Sequence, residues 1–262
     1  MLQENATSEY GAELYRALRD RTTVAPLTER EPGITIEDAY QISQFMLEQR
    51  LASGEQVIGK KIGVTSKAVQ DMLGVHQPDF GFLTDKMVYN TGCDLPISTE
   101  LIQARAEGEI AFFLKKDLQG PGVTNADVLA ATEFVAPCFE VVDSRIESWR
   151  IKIQDTVADN ASCGLIVLGN ERVDPRDVDL ATCGIKVRKN GALLSTGAGA
   201  AALGSPVNCV CWLANTLGQF GIPLKAGELI LSGSLVPLEP VVAGDEMDLS
   251  IGGIGTCSVR FV

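Results

Sequence analysis

The 262-residue chain is predicted to be an α+β protein. Its core is a mostly antiparallel, rolled or barrel-like β-structure with flanking helices and a small helical N-terminal layer. Three observations carry this prediction. Helical spacing is concentrated in residues 1–55. Beyond residue 100, short apolar runs and Gly-rich turns dominate, and they do not alternate with helices as repeated βαβ units would. The segment "GIKVRKNGALLSTG" places Asn-Gly between two strand-like runs, a strong local hairpin signal.

Taken in order, Tyr10, Leu14 and Leu18 fall at helical spacing over residues 7–19, and a polar loop with Pro26 and Pro32 follows. Thr35 is an expected N-cap with Asp38 three residues on, an acidic capping box, and Gly54 stops the helix it starts. No Ser/Gly-rich linker follows, so residues 1–262 read as one domain with the helical part, 1–55, packed on it. "VIGKKIGVTS" is a short strand, and Ser66 caps a helix that Gly74 ends. "VHQPDFGFLTDKMVY" is a Pro-Asp turn leading into a strand. Thr124 starts a short helix, and "DTVADNASCGLIVLG" reads as a polar loop feeding a buried strand. Ser205-Pro206 opens a helix with Val207, Val210, Cys211, Ala214 and Leu217 on one face. "LILSGS", "DEMDLSI" and "GTCSVRFV" are closing strands.

Composition narrows the function. With 22 basic and 34 acidic residues the net charge is -12, which argues against nucleic acid or an anionic membrane as partner. Seven cysteines, an odd count without C-x-x-C spacing, read as buried thiols in a reducing compartment. No signal-peptide pattern opens the chain and no apolar run is long enough to span a bilayer, so a cytoplasmic location is expected.

The chemistry concentrates in Arg105–Arg145. On a strand, Glu107 and Glu109 share a face with Ala111 and Phe113, while Ile110, Phe112 and Leu114 point the other way. Two carboxylates on an otherwise apolar strand are costly to bury unpaired, and Glu140 sits in a second strand-like run, "FVAPCFEVV". A solvated acidic face is the alternative for a lone E-x-E. The third acid favours a divalent cation, Mg²⁺ or Mn²⁺, since no Cys/His cluster suits zinc.

Lys60 and Lys61 should face opposite sides of their strand, so at most one enters a site. From the dipeptide alone an edge-strand lysine is the better reading, and a proton donor or anion anchor the functional one. Asp79 in "QPDFG" fits plain turn chemistry, or a general acid/base carried on a loop. His76, the one histidine, suits a loop or surface role, and no cysteine has an activating partner. "TGAGAAALGSP" follows neither dinucleotide nor Walker spacing and suggests close backbone approach. Asn160 and Ser162 offer hydrogen-bonding groups in what otherwise reads as a turn.

Together, "IGKKIGVTSKAVQDMLGVHQPDFGFLTD", "RAEGEIAFFL", "FEVVDSRI", "QDTVADNASCG", "STGAGAAALGSPVN" and "AGDEMDLSIGGIGTCSVRF" resemble the hydratase/decarboxylase branch of the fumarylacetoacetate-hydrolase-like superfamily, from Leu14 onward. Ala104 stands where similar chains more often carry proline, a difference at the strand entry. The resemblance implies the family's C-terminal fold, with Glu107, Glu109 and Glu140 as metal ligands, Lys61 and Asp79 as catalytic groups and Ser162 lining the substrate pocket. It implies hydration of 2-hydroxypenta-2,4-dienoate to 4-hydroxy-2-oxopentanoate in the catabolism of aromatic rings. Decarboxylation of the related dicarboxylate 4-oxalocrotonate is the alternative, and a non-catalytic subunit is a third reading. It further implies a homo-oligomer and allows a complex with the pathway decarboxylase. The acid at Asp79 favours hydration, and a single histidine disfavours the hydrolytic branch.

Overall fold

A computed structural model describes residues 2–262. The chain opens with α1 (Glu4–Asp20), α2 (Leu27–Arg30) and α3 (Ile36–Ala52). The Thr35 hydroxyl accepts from the Asp38 amide at 3.1 Å and the Asp38 carboxylate accepts from the Thr35 amide at 3.0 Å, the expected capping box. Gly11 lets α1 and α3 touch: a Cβ there would lie 2.6 Å from the Phe45 Cβ. Leu14, Ile42 and Met46 are fully buried with Ile146, Ile153 and Val157 from later in the chain. Truncating Ile42 to Ala would cost about 2–5 kcal/mol, so the N-terminal helices are tied to the rest by apolar contact.

The remaining elements are β1 (Val57–Gly63), α4 (Lys67–Leu73), β2 (Asp79–Thr84), β3 (Val88–Asn90), β4 (Cys93–Leu95), α5 (Ile97–Glu100), β5 (Arg105–Leu114), α6 (Asn125–Ala131), β6 (Thr132–Val142), α7 (Ile153–Ala158), β7 (Leu165–Leu168), β8 (Gly184–Lys189), β9 (Ala192–Ala198), α8 (Pro206–Gly218), β10 (Leu229–Leu231), β11 (Glu239–Pro240), β12 (Glu246–Ile251) and β13 (Gly255–Phe261). They form an eight-stranded sheet, β2-β1-β10-β5-β6-β7-β3 with β11 beside β5, and a five-stranded sheet, β4-β13-β12-β8-β9. Pairing is mostly antiparallel, as expected, with parallel pairs at β1–β10, β3–β7 and β4–β13.

The larger sheet has two differently used faces. Ile110 and Phe112 of β5 and Phe139 and Val141 of β6 pack with residues of β8, β12, β13 and α8 in the main core. Ala111 and Cys138, on the opposite face, join Leu231, Ile166 and Cys163 in a smaller cluster. Period-two alternation thus predicts correctly which residues of β5 face which way. The Asn190-Gly191 hairpin is also present, with φ of 52° and 78° at the two turn residues.

Several expectations need correction. Residues 155–162 are not a polar loop: they form the end of α7 and a single 3-10 turn at Asn160–Ser162, and are buried. Their polar groups are satisfied internally, since Asp155 accepts from the Thr28 amide, the Thr28 hydroxyl and the Lys152 amide at 2.7–3.0 Å. A short α2 interrupts the proline loop. Asp79 begins β2 and does not sit in the turn before it. β1 lies between β2 and β10, so its lysines are not on an edge. β5 and β6, with 10 and 11 residues, are longer than the short strands expected. α8 buries Cys209 and Leu213 and leaves Cys211 only half-buried.

Candidate active site

Strand register brings the predicted residues onto one face of the larger sheet. Glu107 of β5 pairs directly with Glu140 of β6, and Glu109 with Cys138. Lys61 of β1 is in register with Leu231, and Leu231 with Ala111, so Lys61 stands on the same face as Glu109 and Glu107. Gly63, two residues beyond Lys61, pairs with Asp79 at the start of β2. One oxygen from each of the three glutamates fits within a 4.8 Å span, and Lys61 Nζ lies 3.3 Å from Glu140 Oε1. Ser162 reaches the same space from the turn after α7, its hydroxyl 3.1 Å from that of Thr156. Lys61, Asp79, Glu107 and Ser162 line one cavity of about 460 Å³.

The electrostatics are unbalanced. Like charges directly opposite on neighbouring strands repel, and here they are also buried. Burial, reinforced by Glu140, pushes Glu107 up to about 8 against the pull of Lys61. Burial together with Glu140 and Glu107 holds Glu109 well above the usual carboxylate range. Burial raises Asp79, and Lys61 opposes the shift. Burial alone would lower Lys61, but Glu140 and the other acids around it overcome that and hold it above the usual lysine range. Both Glu140 oxygens, Glu109 Oε1 and Asp79 Oδ1 are buried without a hydrogen bond among the described residues. Buried orphan oxygens of this kind cost about 1–3 kcal/mol each, more when charged. An all-carboxylate donor set with unsatisfied oxygens fits a hard divalent cation.

Glycines and a buried ion pair shape the surroundings. A Cβ on Gly63 would fall 2.3 Å from Asp79 Oδ1 and 3.2 Å from Lys61 Nζ; its absence leaves room for both side chains. Gly233 donates its amide to Glu109 Oε2 at 2.9 Å, with φ of 89° and no room for a Cβ beside Thr65. Fully buried Arg145 fixes the turn carrying Ser162: Nε donates to Asp159 Oδ1 at 2.5 Å, and its other nitrogens to the carbonyls of Asp143, Cys163 and Asp159. The Asn160 side chain accepts from the Phe82 amide at 2.8 Å and donates to the Phe82 carbonyl at 2.9 Å, acting as one rung of a missing strand beside β2. Asn160, Ala161 and Ser162 all have φ near 50°, a left-handed run that costs L-residues energy and persists only where its surroundings impose it.

Sequence reasoning missed Arg145 as a support, along with Thr156, Trp149 and Ser234 of the cavity wall. Arg145 carried no local signal, because its partner Asp159 lies in a segment that reads as polar. His76 is exposed, as expected for a loop residue. The cysteines are all free, and burial pushes the Cys163 thiol, beside Lys61, up to about 12, which leaves it unreactive. The Gly-rich stretch does bring backbones together: a Cβ on Gly197 would sit 2.0 Å from the Leu235 carbonyl oxygen.

A mixed α+β sheet structure with a largely buried carboxylate triad, and with a lysine and a fourth acid lining the cavity beside it, defines a protein of the divalent-cation, acid–base type. Residues 59–262 match the fumarylacetoacetate (FAA) hydrolase C-terminal family, and the chain belongs to it. It is 74% identical over 221 residues to the 2-hydroxypent-2,4-dienoate hydratase of Pseudomonas putida, covering 84% of this chain and all of that protein. It is 64% identical over 252 residues to the 2-hydroxyhexa-2,4-dienoate hydratase of Comamonas testosteroni, covering 96% of each. Among solved structures, the 4-oxalocrotonate decarboxylase of Pseudomonas putida G7, complexed with magnesium and adipate, superposes with a TM-score of 0.96. It is 34% identical, with 100% of this chain and 99% of that one covered.

Proposed function

We propose that this protein is a divalent-metal-dependent hydro-lyase that converts 2-hydroxypenta-2,4-dienoate (2-oxopent-4-enoate) to 4-hydroxy-2-oxopentanoate in the meta-cleavage degradation of aromatic rings. The observation that carries the reading is the Glu107–Glu109–Glu140 cluster, with orphaned oxygens on Glu109 and Glu140, beside the cavity that Lys61, Asp79 and Glu107 line, in a chain 74% identical to a hydratase of that dienoate.

Glu107, Glu109 and Glu140 would hold Mg²⁺ or Mn²⁺. A cation there supplies Lewis-acid polarisation and a template for a 2-hydroxy or 2-oxo acid. Lys61, cationic beside Glu140, attracts the substrate's carboxylate end and steadies negative charge that develops on O2. Asp79, whose affinity for a proton is raised by burial, is placed to move protons to and from carbon. In the first half-reaction the dienol gains a proton at C5 and loses its O2 proton, giving 2-oxopent-3-enoate. In the second, water oxygen bonds to C4, C3 takes a proton, and the water's second proton leaves to the acid–base pair. Ser162 and Thr156 offer hydroxyls to the substrate.

The cavity supports hydration over decarboxylation of a dicarboxylate. Lys61 is the one cation among its described lining residues, and Val142, Trp149, Leu235 and Val236 supply apolar wall. That suits one carboxylate and a short apolar tail. Residues 1–55 act within the same domain, because α3 shares a core with α7, next to the site. We assign the working protein to the cytoplasm as a homo-oligomer; no helix among the described residues is long and apolar enough to cross a membrane. The test is incubation with the dienoate and with 4-oxalocrotonate, before and after chelation and after Mg²⁺ or Mn²⁺ is returned. Cation-dependent loss of dienoate absorbance with no CO₂ release is expected; CO₂ release from the dicarboxylate as the dominant activity would reverse the assignment.

A further inference from the structure

Asp79 stands between two cavities. One is the 460 Å³ cavity that holds Lys61, Glu107 and Ser162. The other, of about 340 Å³, is enclosed by Ile36 and Tyr40 of α3, the 74–79 segment, and Ile153 and Val157 of α7. Among the described residues, Asp79 is the one that lines both. Asp79 is 2% exposed, and its Oδ1 has no hydrogen-bond partner among the described residues. At the outer end of the second cavity His76 and Gln77 are exposed. At the inner end the Tyr40 ring stacks on Phe80, the residue after Asp79, with centroids 4.3 Å apart and planes 13° apart. Burial and the Asp79 charge both raise the Tyr40 phenol above its ordinary range, so a hydroxyl kept neutral sits close to that carboxyl.

The reaction makes this arrangement consequential. Each turnover consumes one water and no net proton: the first half-reaction only moves a proton from O2 to C5, whereas the second needs a water oxygen at C4. Water that reaches C4 through the first cavity has to pass the bound substrate, whereas the second cavity opens directly beside Asp79. We propose that the second cavity is the water entry for the addition step, reaching the substrate past Asp79, with Tyr40 as a positioning residue that orients Asp79 and the incoming water. This rests on the proposed hydration, and it assigns the two half-reactions to two openings. Water from the rear gives its oxygen to C4 and a proton to Asp79, while C3 is protonated by the acid–base pair, so atoms and charge balance. Lys61 of β1 and Glu140 of β6 face Asp79 from the cavity side, and Tyr40 faces it from α3.

The test separates the half-reactions by following dienol absorbance and, in quenched samples, hydrated product. The full-length protein loaded with Mg²⁺ is compared with Ile36→Trp, which fills the second cavity from α3, with Gln77→Trp at its exposed mouth, and with Tyr40→Phe, which keeps the ring stack. In the unsubstituted protein the two progress curves coincide. In both tryptophan variants product formation is expected to lag dienol loss by about tenfold, as for a barrier raised on one step only. 2-Oxopent-3-enoate then accumulates while KM stays within about twofold. Tyr40→Phe should show the same split, smaller. Loss of packing alone would slow both curves together. Coincident curves in the two tryptophan variants, at any overall rate, overturn the route. Gln77→Trp, at an exposed position, keeps the test open where Ile36→Trp disturbs α3. An unsubstituted protein that does not hydrate the dienoate refutes the function instead.

Discussion

Lys60 and Lys61 are neighbours on β1, 3% and 4% exposed, and they face opposite sides of the sheet. Lys60 Nζ sits 2.6 and 2.7 Å from the two Glu228 oxygens, and Glu228 also accepts from the Lys225 amide at 2.9 Å. Every charge in that pair has a partner. Lys61 meets Glu140 only at 3.3 Å, amid three more acids and with several carboxylate oxygens left orphaned. Burial of a lysine is common to both places. The difference is closure: one side is a finished ion pair, the other a surplus of negative charge that only a ligand can complete. Unsatisfied buried charge, more than buried charge itself, marks the functional face.

The contrast can be broken by substitution. Glu140→Gln should lower turnover most, by about 10³-fold or more, because the cation is worth several kcal/mol of transition-state stabilisation. The same change should leave the metal-free protein as stable or more so, since it removes repulsion with Glu107; steady-state rates and thermal melts on one sample decide both halves. Asp79→Asn should reduce kcat by about 10²–10⁴-fold, the usual contribution of a positioned acid–base group. Metal affinity, read by calorimetry, should be unchanged. Near-full hydration with metal bound would remove Asp79 from the mechanism.

On the closed side the signs reverse. Lys60→Met should cost about 3–5 kcal/mol of stability, the penalty for orphaning one member of a buried pair, with the activity of the folded fraction retained. Adding Glu228→Leu to it should recover much of that loss in denaturant titrations. The smallest effect is in pH. The folded Glu107 holds its proton up to about 8, above the ordinary carboxylate value that applies in the unfolded chain. The folded state therefore binds the extra proton between those limits. The contribution of Glu107 to the stability of the metal-free protein is fully present below about pH 4 and is lost as pH rises through about 8. Mg²⁺ or Mn²⁺ replaces that proton, so its stabilisation in melts should grow toward alkaline pH. A metal effect independent of pH would contradict the triad as its site.

Legibility followed the reach of each signal. Alternation on β5 is local, so the shared face of Glu107 and Glu109 could be read directly, and their partnership with Glu140 followed once a second strand was recognised. The capping box at Thr35 and the Asn190-Gly191 turn are equally local. Lys61 and Asp79 were identified only through family resemblance, because what marks them is the register of β1 with β2 and β10, contacts made across long stretches of sequence. The 155–162 segment reads as a loop for the same reason. Asp155, Asp159 and Asn160 look solvated until Thr28, Arg145 and Phe82 arrive from elsewhere to bind them.

The direct pairing of Glu107 with Glu140 also bears on how the chain reaches its fold. β5 and β6 form the longest ladder in the molecule, yet its register requires two carboxylates to approach side by side as the strands zip. Forming this hairpin at neutral pH without a counter-ion means either capturing protons or closing against repulsion. The ambient supply of divalent cation then becomes a variable of assembly, setting how readily a newly made chain commits to its central sheet before any substrate is present.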